Sequence, residues 1–255
     1  MRPICRGMGG KLTTVIAALM LAATGSRADI AGHEKLLPIE SDLMRAGWSE
    51  FMLPGKKANR YAGSDDGLIS VSADDSVSFL YYDISEKSVD ARFLRWRWRV
   101  DQAPPVSDLA RVGQDDRPLA VHVVFREPDE GPFSFLEDLA AEAIGAPLSG
   151  KVLTYVWGGT GMRGDVIANP YMEDDGMLIV LRPGDAPKRR WFMEEIDFHA
   201  DFARLFGYAP PPPAYIAISG DSDDTMSRIS AKLADLTLVV RLRHSDPGMP
   251  GRPTR

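Results

Sequence analysis

The sequence has little of what most catalytic chemistry uses. Among 255 residues there is one cysteine, Cys5, and there are four histidines. Cys5 lies before an apolar run, "LTTVIAALMLAAT", that is too short for a membrane span. Arg2, Arg6 and Lys11 lead into that run without an acid, and Ser26 and Ala28 follow it at small-residue positions. This pattern predicts a secretory signal peptide over residues 1–28, cut after Ala28, and a periplasmic or secreted protein. A lipid-attachment cysteine would follow the apolar run, so a lipoprotein is not expected. Cleavage would remove Cys5 and leave no thiol for a disulfide, a nucleophile or a metal site.

Positive charge is also scarce. The whole chain carries 30 basic and 36 acidic residues. The leader takes away Arg2, Arg6, Lys11 and Arg27 and no acid, which leaves a net charge of −10. Nucleic-acid affinity rests on neutralising phosphates, so this balance argues against it. G-x-S-x-G, H-E-x-x-H, a phosphate-cradling glycine loop and a dinucleotide fingerprint are all missing. His122 falls mid-strand and His199 on a helix, with no catalytic partner assignable to either. No long apolar segment follows the leader, so no membrane span is expected in the mature chain. The sequence does not speak to oligomeric state.

What is present is period-two alternation. Strands are predicted at 68–73, 77–82, 93–100, 119–125, 152–157, 177–181, 191–196, 215–219 and 231–240. "SDDG", "EDDG" and "RPGD" supply turns between them. Two short helices are expected. One is "PFSFLEDLAAEAIGAP", with Ser134 and Glu137 as a capping box. The other is "DFHADFARLFG", with Asp197 as N-cap and Gly207 as its end. No βαβ alternation is visible. The expected fold is all-β dominated, a jelly-roll-like antiparallel β-sandwich over residues 29–243, with a disordered tail at 244–255.

The segment "FLRWRWRVD" places Leu94, Trp96, Trp98 and Val100 on one strand face and Arg95, Arg97 and Arg99 on the other. The apolar row is assigned to the core, where each large aromatic buries ~150–250 Å². The arginine row has two readings. It pairs with carboxylates on neighbouring strands, which is preferred, or it forms a cationic stripe for an anionic glycan or a partner.

"LRWRWRVD", "QDDRPLAVHVVF", "LTYVWGG", "WFMEEIDFHADFARLFG" and "AISGDSDDT" occur in that order. Together they resemble an uncharacterised family of exported bacterial proteins, a domain of unknown function, from about Trp48 to Leu238. The resemblance implies a single β-rich domain and no activity. The family pattern places an arginine in the strand after the "DD" pair. Here Ala120 stands in that position and Arg117 comes earlier, a departure that puts any role for that arginine in doubt.

Candidate site residues come from acidic doublets and one aromatic. Asp115 and Asp116 precede a strand, where they either make a turn or present carboxylates at the end of the sheet. Glu195 and Asp197 share a strand face at i, i+2, a weak match to a glycosidase pair. Asp197 serves equally as a helix cap, and that reading is preferred. "GDSDDT", 220–225, brings Asp221, Asp223 and Asp224 together. Met226 and Lys232 break the EF-hand pattern, so the loop is either a calcium site of another geometry or a self-bonded acidic turn. Trp157 precedes "GGTGMRG", a segment able to let a sugar approach its ring.

From these features the expected function is an exported binding module for a carbohydrate or cell-envelope glycan. Its candidate binding residues are Asp115, Asp116, Trp157, Asp221 and Asp223. Its candidate metal ligands are Asp221, Asp223 and Asp224, with calcium the ion considered. One alternative is a glycan hydrolase or lyase using acids such as Asp116, Glu195 or Asp223. Another is an envelope protein-interaction domain presenting the arginine row.

Overall fold

The computed structural model describes residues 33–87, 91–125 and 150–240. The leader, the helix expected around Ser134 and the tail lie outside them. In chain order the strands are β1 (His33–Leu36), β2 (Trp48–Met52), β3 (Arg60–Ser64), β4 (Leu68–Asp74), β5 (Val77–Asp83), β6 (Phe93–Gln102) and β7 (Arg117–Phe125). They continue as β8 (Lys151–Trp157), β9 (Val166–Ala168), β10 (Gly176–Arg182), β11 (Phe192–Asp197), β12 (Pro213–Asp221) and β13 (Arg228–Val240). One helix, α1 (Phe198–Phe206), sits between β11 and β12.

Two sheets form a jelly-roll-like sandwich. The first runs β11-β6-β13-β4-β3, with β1 paired to β13; the second runs β2-β5-β12-β7-β8-β10-β9. Pairing is antiparallel with one exception among the described strands, β8 with β10, which run parallel. The long return through β9 makes this possible, because parallel neighbours need a crossover.

Between the sheets lies one large core. On β6, Leu94, Trp96, Trp98 and Val100 are each 0% exposed, as their shared parity requires. Trp96 packs on Tyr155 and Trp98 on Trp157 from the opposite sheet, with ring centroids 6.1 and 5.5 Å apart. The Trp98 indole N–H donates to Glu194 Oε1 at 3.1 Å. Glu194 is itself buried and accepts from Arg163 and Arg182, so its charge is matched inside the fold.

α1 forms for local reasons. Asp197 caps it by accepting from the Ala200 N–H at 2.9 Å, and Gly207 ends it at φ 83°. Phe198 and Phe202 turn inward, and both rings pack on Phe125.

Candidate functional site

The outer faces of the two sheets differ. On the first sheet the arginine row is occupied. Arg95 grips Glu34 through two bonds, at 3.0 and 2.6 Å, and lies 3.8 Å from Glu195. Arg97 pairs with Asp235 on β13 and covers the Trp191 ring. Arg99 donates to Asp101 at 2.5 Å. These are partly exposed cross-strand and same-strand pairs, so the row is not a bare cationic stripe. Glu195 belongs to this face, and Asp197 caps α1 and pairs with Arg92, so the two make no cleft.

On the second sheet the outer face is buried along its central strands. All nine residues of β7 are buried. Leu119, Val121, Val123 and Phe125 enter the main core. On the other side Val124 joins an apolar cluster with Val152, Met172 and Tyr215. Ala120 joins a second cluster with Leu109, Val156, Leu178 and Val180. Loops close over this face. At Gly159 (φ 74°) a Cβ would lie 2.6 Å from Leu109, and at Gly158 (φ 154°) 2.9 Å from Arg117. The glycines after Trp157 therefore serve close packing of a covering loop. They do not open a path to Trp157, which is 1% exposed and packs on Trp98 and Phe192. Trp157 is a core residue and offers no face to a sugar, which corrects its place among the binding candidates.

Between the apolar clusters runs a polar strip across three strands. His122 Nδ1 is 3.0 Å from Thr154 Oγ1 on β8, and its Nε2 is 2.9 Å from Ser219 Oγ on β12. A serine bonded to an imidazole is the geometry of an activated nucleophile. Two facts oppose that role here. Ser219 is 0% exposed. Burial, assisted by the Arg117 charge, pushes the His122 pKa down to about 3, too weak a base for the task. The strip instead meets the hydrogen-bonding needs of three buried groups.

At one end of this face the acidic segments converge on one cation. Arg117 Nη1 donates to Asp115 Oδ2 at 2.8 Å and lies 3.3 Å from Asp221 Oδ2. Burial opposes the guanidinium charge, and Asp221 and Asp115 outweigh that penalty. The arginine of "DDR" is thus the centre of the cluster in space. Asp115 also accepts from the Tyr171 hydroxyl at 2.8 Å. Asp116 points the other way and accepts from the Asp224 and Thr225 amides at 3.2 and 2.9 Å. One doublet therefore holds two loops together.

Asp221 and Asp223 form a hydrogen-bonded carboxyl pair with opposed shifts. Burial, against the pull of Arg117, holds Asp221 well above the ordinary carboxylate range, and its side chain is hydrogen-bonded to Asp223. Asp223 is lowered despite partial burial, because Asp221 and Lys56 both donate to it. Of the three metal candidates, Asp223 and Asp224 share a group with Asp116 that could hold a metal ion, and Asp221 lies outside it. Oxygens of Asp116, Asp223 and Asp224 lie within 4.8 Å of one another, whereas Asp221 belongs to Arg117. Lys56, Arg117 and the loop amides already supply positive charge here.

Beside this cluster is a cavity of about 340 Å³. Its apolar wall includes Leu53, Pro54, Val77, Phe79, Val152 and Met172. Asp115, Arg117, Asp221, Asp223 and Asp224 close one end, with His122, Thr154, Asn169 and Tyr171 between. Asp115, Asp221 and Asp223 are therefore brought to one site. Asp116 supports it from behind. Lys56, Phe79, Arg117 and His122 carry no binding signal in the sequence, although "DDR" places Arg117 beside two of the candidates.

The fold and site together define a β-sandwich with a lateral pocket on the closed-over face of one sheet. The chain belongs to the DUF3047 family, described as a protein of unknown function, which it matches over residues 46–237. A search of curated proteins finds no match. Among solved structures, the chain is similar to an engineered cellulase derived from the Cel12A cellulase of Rhodothermus marinus. Identity is 10% and the TM-score 0.44, over 82% of this chain and 100% of that one. It is also similar to the family 11 carbohydrate-binding module of Clostridium thermocellum in complex with a mixed-linked tetrasaccharide. There identity is 10% and the TM-score 0.39, over 83% and 98% of the two chains.

Proposed function

We propose that this protein is an exported binding module that seats a glycan unit in the lateral pocket of the second sheet. The observation that carries the reading is the cavity itself. It joins a carbon-rich wall containing Phe79 to an end rich in carboxyl oxygens. A sugar ring presents the matching surfaces, a C–H face for the wall and hydroxyl donors for the carboxylates. At about 340 Å³ the space lies at the small end of ligand pockets, suited to one unit rather than a long chain.

The hydrolase alternative is supported less well. Two-carboxylate glycosidases hold their acids about 5–5.5 Å or about 6.5–9.5 Å apart. The carboxyls with opposed shifts, Asp221 and Asp223, are in hydrogen-bond contact. Such a pair shares a proton and leaves no room for a sugar carbon or a water between them.

A glycan array probed with the purified protein tests the reading, alongside Val112→Arg. Val112 is 62% exposed and lines the cavity, so the substitution loads the mouth and spares the core. Glycan binding by the parent and its loss in the variant, with unchanged melting, is the expected result. Binding that survives in the variant would move the site elsewhere.

A further inference from the structure

One edge of the first sheet carries charge that the fold does not neutralise. β11 ends that sheet and, among the described strands, pairs only with β6. The turn entering it is Lys188-Arg189-Arg190, three exposed cations in a row. Among the described residues none of the three meets a carboxylate, whereas Arg95, Arg97 and Arg99 on the adjacent strand each do. The turn is fixed in shape. Arg189 sits at φ 61°, where residues other than glycine are strained, and its N–H donates to the Val100 carbonyl at 2.7 Å. The Arg190 guanidinium lies 5.5 Å from the Phe192 ring centroid, a stacking that orders it and leaves its N–H donors unused. Strained, ordered side chains with unmet charge are found where a surface meets a partner.

The same edge exposes apolar side chains. Met193 on β11 is 63% exposed. Met162, 73% exposed, adjoins Arg163, which pairs at 2.8 Å with Glu194, the neighbour of Met193. That ion pair sets both methionines along one edge. Arg163 and Arg182 share the single Glu194 carboxylate, so this group adds one positive charge to the three of the turn. Asp165 and Asp185 in the flanking loops reduce the four to two. The chain is acidic elsewhere, but in physiological salt that field falls off over about 8 Å. A flat anionic surface touching this edge therefore meets the cations rather than the net charge. A soluble polyanion would use the cations and leave the methionines in water. A lipid surface uses both, since its phosphates accept from the arginines and its headgroup layer takes up the apolar side chains.

Independently of the glycan pocket, we infer that the β11 edge docks the protein on anionic lipid headgroups through Lys188, Arg189 and Arg190, with Met162 and Met193 entering the headgroup layer. The test is co-sedimentation of the purified protein with vesicles of phosphatidylcholine alone and of equal parts phosphatidylcholine and phosphatidylglycerol. The parent is expected to partition onto the anionic vesicles, to leave them in high salt, and to ignore the neutral ones. Lys188→Gln/Arg189→Gln/Arg190→Gln is expected to weaken that partition on the order of a hundredfold, at about fivefold per cation. Its melting should not change, because the three side chains are exposed. Met193→Ser keeps every charge and is expected to weaken partition severalfold. No partition of the parent onto anionic vesicles, or equal partition onto neutral ones, would overturn the inference. Parent-like partition of the triple variant would overturn it by placing lipid contact elsewhere. Parent-like partition of Met193→Ser, with tight binding of soluble dextran sulfate by the parent, would overturn the lipid assignment in favour of a soluble polyanion. None of these residues lines the cavity, so each result leaves the glycan reading untouched.

Discussion

The outer faces of the two sheets handle charge in opposite ways. On the first, Arg95, Arg97 and Arg99 meet carboxylates at a partly solvated surface. On the second, Arg117 meets Asp115 and Asp221 under a cover of loops. Exposed pairs gain little, because water screens them and long side chains must be ordered. A buried cluster gains little over apolar packing but is costly to break, since removing one member strands the rest. The first face therefore tolerates substitution and the second does not, and the pocket sits on the intolerant one.

The largest expected effect comes from breaking the buried cluster. Arg117→Met leaves the buried Asp115 carboxylate without its cation and should cost about 3–5 kcal/mol in denaturant unfolding. A loss no larger than that of a surface arginine would erase the contrast between the faces.

A smaller effect comes from pH. The folded chain keeps a proton on Asp221 that the unfolded chain releases near its ordinary value of about 3.9. Its stabilising contribution is fully present below that value and is lost as pH rises through the folded pKa. Asp221→Asn holds the neutral, hydrogen-bond-donating form at every pH. The melting temperature of the parent should therefore fall relative to this variant as pH rises, and the gap should close on acidification. A gap that does not vary with pH would mean that Asp221 is ionised in the fold.

The smallest effects belong to the first face. Arg95→Gln, Arg97→Gln and Arg99→Gln should each change stability by under about 1 kcal/mol, and less in high salt. A cost of several kcal/mol from any one of them would show that this face is no more tolerant than the other.

The contrast also explains what the sequence could reveal. β6 alternates strictly, with one face buried and the other half-buried, so both its strand state and its two faces were legible. β7 is buried on both sides, so "LAVHVVF" showed a strand but not that its outer face was covered. β2 and β3, "WSEFM" and "RYAGS", were missed because their small and polar residues blur the period. Three-residue β9 is too short to carry one. Asp115, Asp221 and Asp223, which the fold brings to one cavity, stand out in the sequence because clustered acids are local features. The Lys56 pairing with Asp223 spans 167 residues, and no local pattern marks it. Trp157 was misplaced for a related reason. A tryptophan before glycines looks the same whether the glycines open a loop or let it pack closely. Here Gly158 and Gly159 do the latter.

One titration sets the two faces against each other. A glycan selected on the array is titrated calorimetrically into three proteins: the parent, Val112→Arg, and the triple variant Arg95→Gln/Arg97→Gln/Arg99→Gln. The account predicts parent-like affinity in the triple variant and loss of binding in Val112→Arg, with all three folded. Loss in the triple variant and retention in Val112→Arg would contradict it, and would place recognition on the arginine face.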